Sequence, residues 1–70
     1  MTEEETRAEL LEIFNTSVAK NISNPEKYSP DPSIFVDSHI RELQSRFKTS
    51  WDPEIAQAYV YNLKLIMGQL

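Results

Sequence analysis

Residues 52–70, DPEIAQAYVYNLKLIMGQL, form the longest apolar stretch of the chain and constrain its fold more than any other segment. Asp52 is suited to cap a helix, because its carboxylate can accept from the free amides of the first turn. Pro53 then falls at the first helical position, where the missing N–H costs nothing and the fixed φ already fits. Glu54 adds negative charge at the positive end of the helix dipole. At about 100° per residue, Ile55, Ala56, Tyr59, Val60, Leu63, Ile66, Met67 and Leu70 make a stripe roughly 140° wide, broader than a surface helix needs. Ala58, Tyr61 and Leu65 form a second apolar cluster beside it. A helix apolar over so much of its circumference requires cover on more than one side.

The chain has few ways to supply that cover. Its 70 residues make one domain, spanning 1–70. A core of this size rarely contributes more than ~3–5 kcal/mol net, so small chains commonly add disulfides, metals or oligomerisation. There is no cysteine, which removes disulfides, iron–sulfur clusters and thiolate zinc sites together. A single histidine leaves any zinc site dependent on carboxylates. Of the usual reinforcements, oligomerisation or a binding partner is what remains.

The net charge of −4 is unevenly spread: residues 1–35 carry seven acids against three bases, and residues 36–70 carry four of each. That balance argues against a nucleic-acid backbone as partner, since such binding rests on Lys and Arg displacing counterions. A basic protein surface suits the acidic half better. The N-terminal stretch MTEEETRAEL has the plan of neither a secretory signal nor a transit peptide. No apolar run approaches the ~20 residues that span a bilayer. With no cysteine, these features predict a soluble, cytoplasmic protein without a membrane partner.

The spacing predicts three helices at about 3–22, 32–48 and 53–69 with no sheet: an all-α, small three-helix bundle. Thr2 and Glu5 have the spacing of a capping box, and Glu3, Glu4 and Glu5 suit the dipole's positive end. Leu10, Leu11, Phe14, Val18 and Ile22 form the expected core stripe of the first helix, with Ile13 on its margin. Residues 23–31, SNPEKYSPD, read as a proline-rich connector, in which Asn24-Pro25-Glu26 could cap a single turn and Tyr28 could pin the loop to the core. The second helix opens on Asp31-Pro32, the same device as Asp52-Pro53. Val36, Ile40, Leu43 and Phe47 form its stripe, flanked by i, i+4 pairs Asp37–Arg41 and Glu42–Arg46. The short link after it makes the second and third helices antiparallel or steeply crossed neighbours, with Trp51 over the joint.

No catalytic constellation stands out. His39 follows Asp37 and Ser38, but consecutive helical positions point about 100° apart and cannot form a Ser–His–Asp relay among themselves. The expected place for His39 is the shoulder of the second helix, near Phe35. Glu5, Glu9 and Glu12 lack the Glu-x-x-His partners of a di-metal carboxylate site. A helix-turn-helix would put Asp52 and Glu54 at the end entering the DNA groove, where they repel phosphate. The Asn-x-Ser triplets at Asn15 and Asn21 and the Ser29-Pro30 dipeptide are weak matches. No catalytic residue, cofactor or metal ligand is therefore expected.

The surplus of apolar surface instead predicts a non-enzymatic interaction module, forming a homodimer or docking a helical partner through the third helix. Its expected interface is Ala58, Tyr61 and Leu65, with Phe35 and Ile34 lying off the main stripe of the second helix. The competing arrangement folds loop 23–31 over some of these residues. An alternative is a small acidic inhibitor or immunity-type protein, docking Glu3, Glu4, Glu5, Glu9 and Glu12 on a basic enzyme surface. A regulatory subunit of a transcription or secretion complex is a weaker option.

Overall fold

The computed structural model describes residues 1–20 and 31–70. Three helices are present among them, α1 (Glu3–Lys20), α2 (Pro32–Arg46) and α3 (Pro53–Ile66), and no strand. The architecture is the small all-α three-helix bundle. No helix among the described residues is long and apolar enough to cross a membrane. Ile22, the turn at Asn24-Pro25-Glu26, Tyr28 and the covering role of the connector all lie outside the described residues.

Each helix starts where its cap residues dictate. The Thr2 amide donates to Glu5 Oε1 at 2.9 Å while the Glu5 amide donates to Thr2 Oγ1 at 3.1 Å, a reciprocal capping box. These bonds, the backbone one foremost, hold the Glu5 carboxyl below its ordinary pKa. Asp31 accepts from the Ser33 amide at 2.9 Å and the Ser33 hydroxyl at 2.8 Å, and the hydroxyl bond is the larger cause of its lowered pKa. Asp52 accepts from the amides of Glu54 at 3.0 Å and Ile55 at 3.3 Å.

α2 and α3 end earlier than periodicity alone suggests. α2 stops at Arg46 because Phe47 turns extended, with φ −84° and ψ 145°. α3 stops at Ile66, short of the expected residue 69, because Gly68 adopts φ +68°. The Gly68 amide donates to the Leu65 carbonyl at 3.1 Å and the Gln69 amide to the Lys64 carbonyl at 2.8 Å. This pair of bonds is a Schellman closure, which requires a left-handed residue and so favours glycine.

The core is built from Leu10, Ile13, Val36, Ile40, Leu43, Ala56 and Val60. α1 packs on both other helices, most extensively on α2, while α2 and α3 touch each other least. α2 buries Val36, Ile40 and Leu43 as its sequence predicts, with Phe47 half-buried. α1 does not follow its predicted stripe. Ile13, expected on the margin, is fully buried with Leu10, and Leu11 and Val18 are exposed. The buried line of α1 runs through Thr6, Leu10, Ile13 and Ser17.

Two ion pairs accompany that rotation. Glu9 Oε2 lies 2.8 Å from Lys64 Nζ on α3, and Arg7 reaches Asp37 Oδ1 on α2 at 2.9 Å. Asp37 thus pairs across helices, not with Arg41 as expected, because Arg7 of the adjoining helix lies within reach. The Glu42–Arg46 pair forms as predicted, at 3.1 Å. The polar residues on the buried line have partners: the Thr6 hydroxyl donates to the Thr2 carbonyl at 2.7 Å within α1, and Ser17 Oγ accepts from Gln69 Nε2 of the C-terminal turn at 2.9 Å.

Both ends of the chain are stitched to the bundle. Trp51 packs edge-on against Phe47 with ring centroids 4.8 Å apart, and its indole N–H donates to the Met1 carbonyl at 2.8 Å. It covers the α2–α3 joint. At the other end, Gln69 Nε2 also donates to the Ile13 carbonyl at 3.1 Å, tying the turn after α3 to the middle of α1.

Candidate interaction surface

α3 has more apolar circumference than the bundle covers. Ala56 and Val60 are buried, and Tyr59, Leu63 and Met67 are half-buried beside them. Ile55, Ala58, Tyr61, Leu65 and Ile66 remain exposed, with Ile66 81% and Tyr61 56% accessible. Leu70, beyond the helix, is exposed too. At about 100° per residue, the side from Tyr61 through Leu65, Ala58 and Ile55 to Ile66 is an arc of roughly 140°, which also holds Glu54 near its Tyr61 edge and Asn62 between Ala58 and Ile55.

The predicted stripe is therefore split lengthwise. Ile55, Ile66 and Leu70 were expected on the core side and lie outside it. The reason is that both neighbours meet α3 on one side only, α2 at Tyr59 through His39 and Arg46 and α1 at Lys64 through Glu9. The exposed surface is consequently wider than the Ala58, Tyr61 and Leu65 cluster.

Its relief is shallow. A groove of about 440 Å³ runs along Ile55, Ala58, Tyr59, Asn62, Leu63 and Ile66, with Arg46 of α2 at its edge. A neighbouring depression of about 350 Å³ shares Ala58 and Asn62 and adds Glu54, Gln57 and Tyr61. Neither depression includes Leu65, which stands on the rim at 52% exposure. Apolar walls with charge confined to the edges suit a helix or an apolar strip of protein surface.

A ladder of rings supports this groove from beneath. Phe14 stacks on Phe35 with centroids 5.3 Å apart, Phe35 meets His39 edge-on at 4.6 Å, and His39 meets Tyr59 at 5.7 Å. The Tyr59 hydroxyl lies 2.5 Å from His39 Nδ1. Burial lowers the His39 pKa, against an opposing pull from Glu42, and raises that of Tyr59. Both changes favour the neutral forms, and the His39 tautomer sets which of the two groups donates in the bond between them. The Arg46 guanidinium lies 5.1 Å from the Tyr59 ring centroid, a cation–π contact. Asp37 turns to Arg7 and His39 to Tyr59, so Asp37, Ser38 and His39 assemble no relay.

The other predicted interface residues part company. Phe35, expected off the core stripe, is half-buried and packed on the core through Phe14 and His39. It is unavailable as an anchor, because the rotation of α1 brings Phe14 onto it. Ile34 is 57% exposed but lines neither α3 depression. The acidic face is partly spent within the chain: Glu3 pairs with Arg7 at 3.4 Å, Glu5 closes the capping box and Glu9 meets Lys64. Glu4 and Glu12 form no ion pair among the described residues. Among those residues no group of three or more His, Cys, Asp or Glu could hold a metal ion.

The sequence reading missed Asn62 and Ile66 as part of the surface. Their signal was present: Ile55, Ala58, Asn62 and Leu65 have the alternating three- and four-residue spacing of a helix–helix seam. Comparison with known protein families, curated proteins and solved structures gives no match.

Proposed function

We propose that the chain is a non-enzymatic protein–protein interaction module that docks an apolar helix, its own or a partner's, along the outer side of α3. One observation carries this reading: Tyr61, Leu65 and Ile66, all more than half exposed, lie with Ile55 and Ala58 on one continuous side of a regular helix. Contiguous exposed apolar patches are uncommon on monomers and mark binding surfaces. Tyr59 in the floor packs against the His39 ring, with the Arg46 guanidinium over it at the groove's edge. The acidic alternative on α1 has weaker support, because Glu3, Glu5 and Glu9 already have partners within the chain.

The test is a photo-crosslinking residue placed at position 66 of the intact chain in its host, with a second placed at position 4. Position 66 is expected to give a discrete adduct, with another copy or another protein, that is lost when Tyr61→Glu and Leu65→Glu are added. Circular dichroism should show those variants still helical, since both side chains are exposed. No adduct at 66, together with a salt-sensitive adduct at 4, would replace this reading with the acidic one.

A further inference from the structure

Met67 carries an oxidisable group at the point where α3 is closed onto α1. It is the C-cap residue, and its amide donates to the Leu63 carbonyl at 3.0 Å. Its side chain is half-buried and packs on the core cluster of Leu10, Ile13, Val36, Ile40 and Val60. There the hydroxyl of buried Ser17 donates to Met67 Sδ at 3.9 Å, a weak bond of the kind thioethers accept. Gln69 Nε2 donates to the same Ser17 oxygen at 2.9 Å. One serine of α1 thus holds the side chains on both sides of Gly68. Gly68 itself has φ +68°, and nothing packs where its side chain would stand, so these flanking contacts anchor the turn.

We infer that Met67 is a peroxide-sensitive modification site, and that its conversion to the sulfoxide releases the turn after α3 from α1. The oxidant is hydrogen peroxide. The thioether lone pair attacks one peroxide oxygen, an S–O bond forms as the O–O bond breaks, and the departing hydroxide takes the remaining proton and leaves as water. Sulfur loses two electrons and the peroxide gains them. Oxidation turns an apolar, adaptable side chain into a polar one. The new oxygen either lies against the apolar cluster, where nothing solvates it, or takes the Ser17 proton and pushes the sulfur off its seat. In both cases the Met67 side chain moves toward solvent and draws the turn with it. Met67 lies one residue beyond the end of α3, so the loss stays local. The chain has no cysteine and two methionines, so no thiol competes for the oxidant. Met1, the other thioether, also packs on the core, but its polar contacts to Trp51 and Pro53 run through its backbone. Oxidation there leaves the turn in place.

The folded chain, treated with hydrogen peroxide and mapped by peptide mass spectrometry, is expected to carry one added oxygen at Met67. Amide hydrogen exchange at Gly68 and Gln69 should quicken at least about tenfold, while α1 and α2 keep their protection. Met67→Leu keeps an apolar side chain without the thioether, and its exchange should not respond to peroxide. A folded chain whose Met67 stays unoxidised while free methionine in the same tube is consumed overturns the proposal. So does oxidised Met67 with unchanged exchange at Gly68 and Gln69, which would show that the turn holds without the sulfur contact. Exchange that quickens throughout the core would show general unfolding in place of a local release. A response that persists in Met67→Leu would put the lesion elsewhere, and either result overturns the proposal too.

Discussion

α2 and α3 open on the same device, an aspartate cap followed by proline, yet they divide their apolar residues in opposite ways. α2 has a narrow stripe, and Val36, Ile40 and Leu43 are all buried, with mostly polar and charged residues on the rest of the helix and Ile34 as its one exposed large apolar residue. α3 has an apolar band too broad for one contact, and only Ala56 and Val60 are buried within it. The difference lies in their neighbours. α2 lies against the most extensive contact in the bundle, that with α1, and α3 receives α1 on one edge and little of α2. A narrow stripe matches a single packing partner. A broad one exceeds it, and the excess becomes surface.

This contrast can be broken most forcefully in the core of α2. Leu43→Ala should cost about 2–5 kcal/mol in urea denaturation, because Leu43 is fully buried and its loss leaves a cavity. Ile66→Ala, the same kind of truncation on the open side of α3, should fall within about 0.5 kcal/mol of wild type when the chain is alone and dilute, because Ile66 is 81% exposed in the single chain. Equal losses at the two positions would mean that the α3 side is covered in solution. The concentration dependence of the Ile66→Ala midpoint would then tell a second copy from the chain's own connector.

A smaller effect is expected where α3 ends. Gly68 adopts φ +68° with open space where a Cβ would stand. Gly68→Ala should therefore cost about 1–2 kcal/mol through backbone conformation alone. Part of the change should appear as faster hydrogen exchange at Gln69, whose amide and side chain close the turn onto α1. An Ala variant as stable as wild type would show that α3 can continue toward residue 69 and carry its apolar side further.

The smallest effect concerns the ring ladder between the two helices. Burial lowers the folded-state pKa of His39. As pH falls through the ordinary histidine range near 6.5, the unfolded chain takes up a proton that the folded chain resists, so stability declines with falling pH. Glu42 opposes the shift and limits its size. Glu5 and Asp31, whose pKa values are also lowered, lose their contributions at more acidic pH, from the ordinary carboxylate range downward. Thermal melts between about pH 7 and 5 should thus slope downward for wild type and flatten in His39→Gln. A flat wild-type profile would mean that protonated His39 is accommodated at the Tyr59 contact.

Much of the fold is legible in the sequence. Asp31, Asp52 and the Thr2–Glu5 pair mark helix starts because capping is a local hydrogen-bonding event among residues two or three apart. The α2 stripe was legible for a related reason: its apolar residues occupy a single face, so only one orientation buries them. The candidate surface was half legible. Tyr61 and Leu65 fall off any single stripe, and the structure leaves them exposed. Ile55 and Ile66 sit at the edge of the predicted α3 stripe, and nothing local decides which edge is covered. Phe35 went the other way, drawn inward by Phe14.

The sequence by itself determined the three helices, their starting points and the excess of apolar residues on the last of them, since these depend on neighbours within a turn. Only the tertiary structure decided how each helix is rotated about its axis. That rotation depends on pairs remote in the chain, such as Arg7 with Asp37 and Glu9 with Lys64. An apolar band wider than its partner can be buried by either edge at similar cost, and contacts of this kind choose the edge.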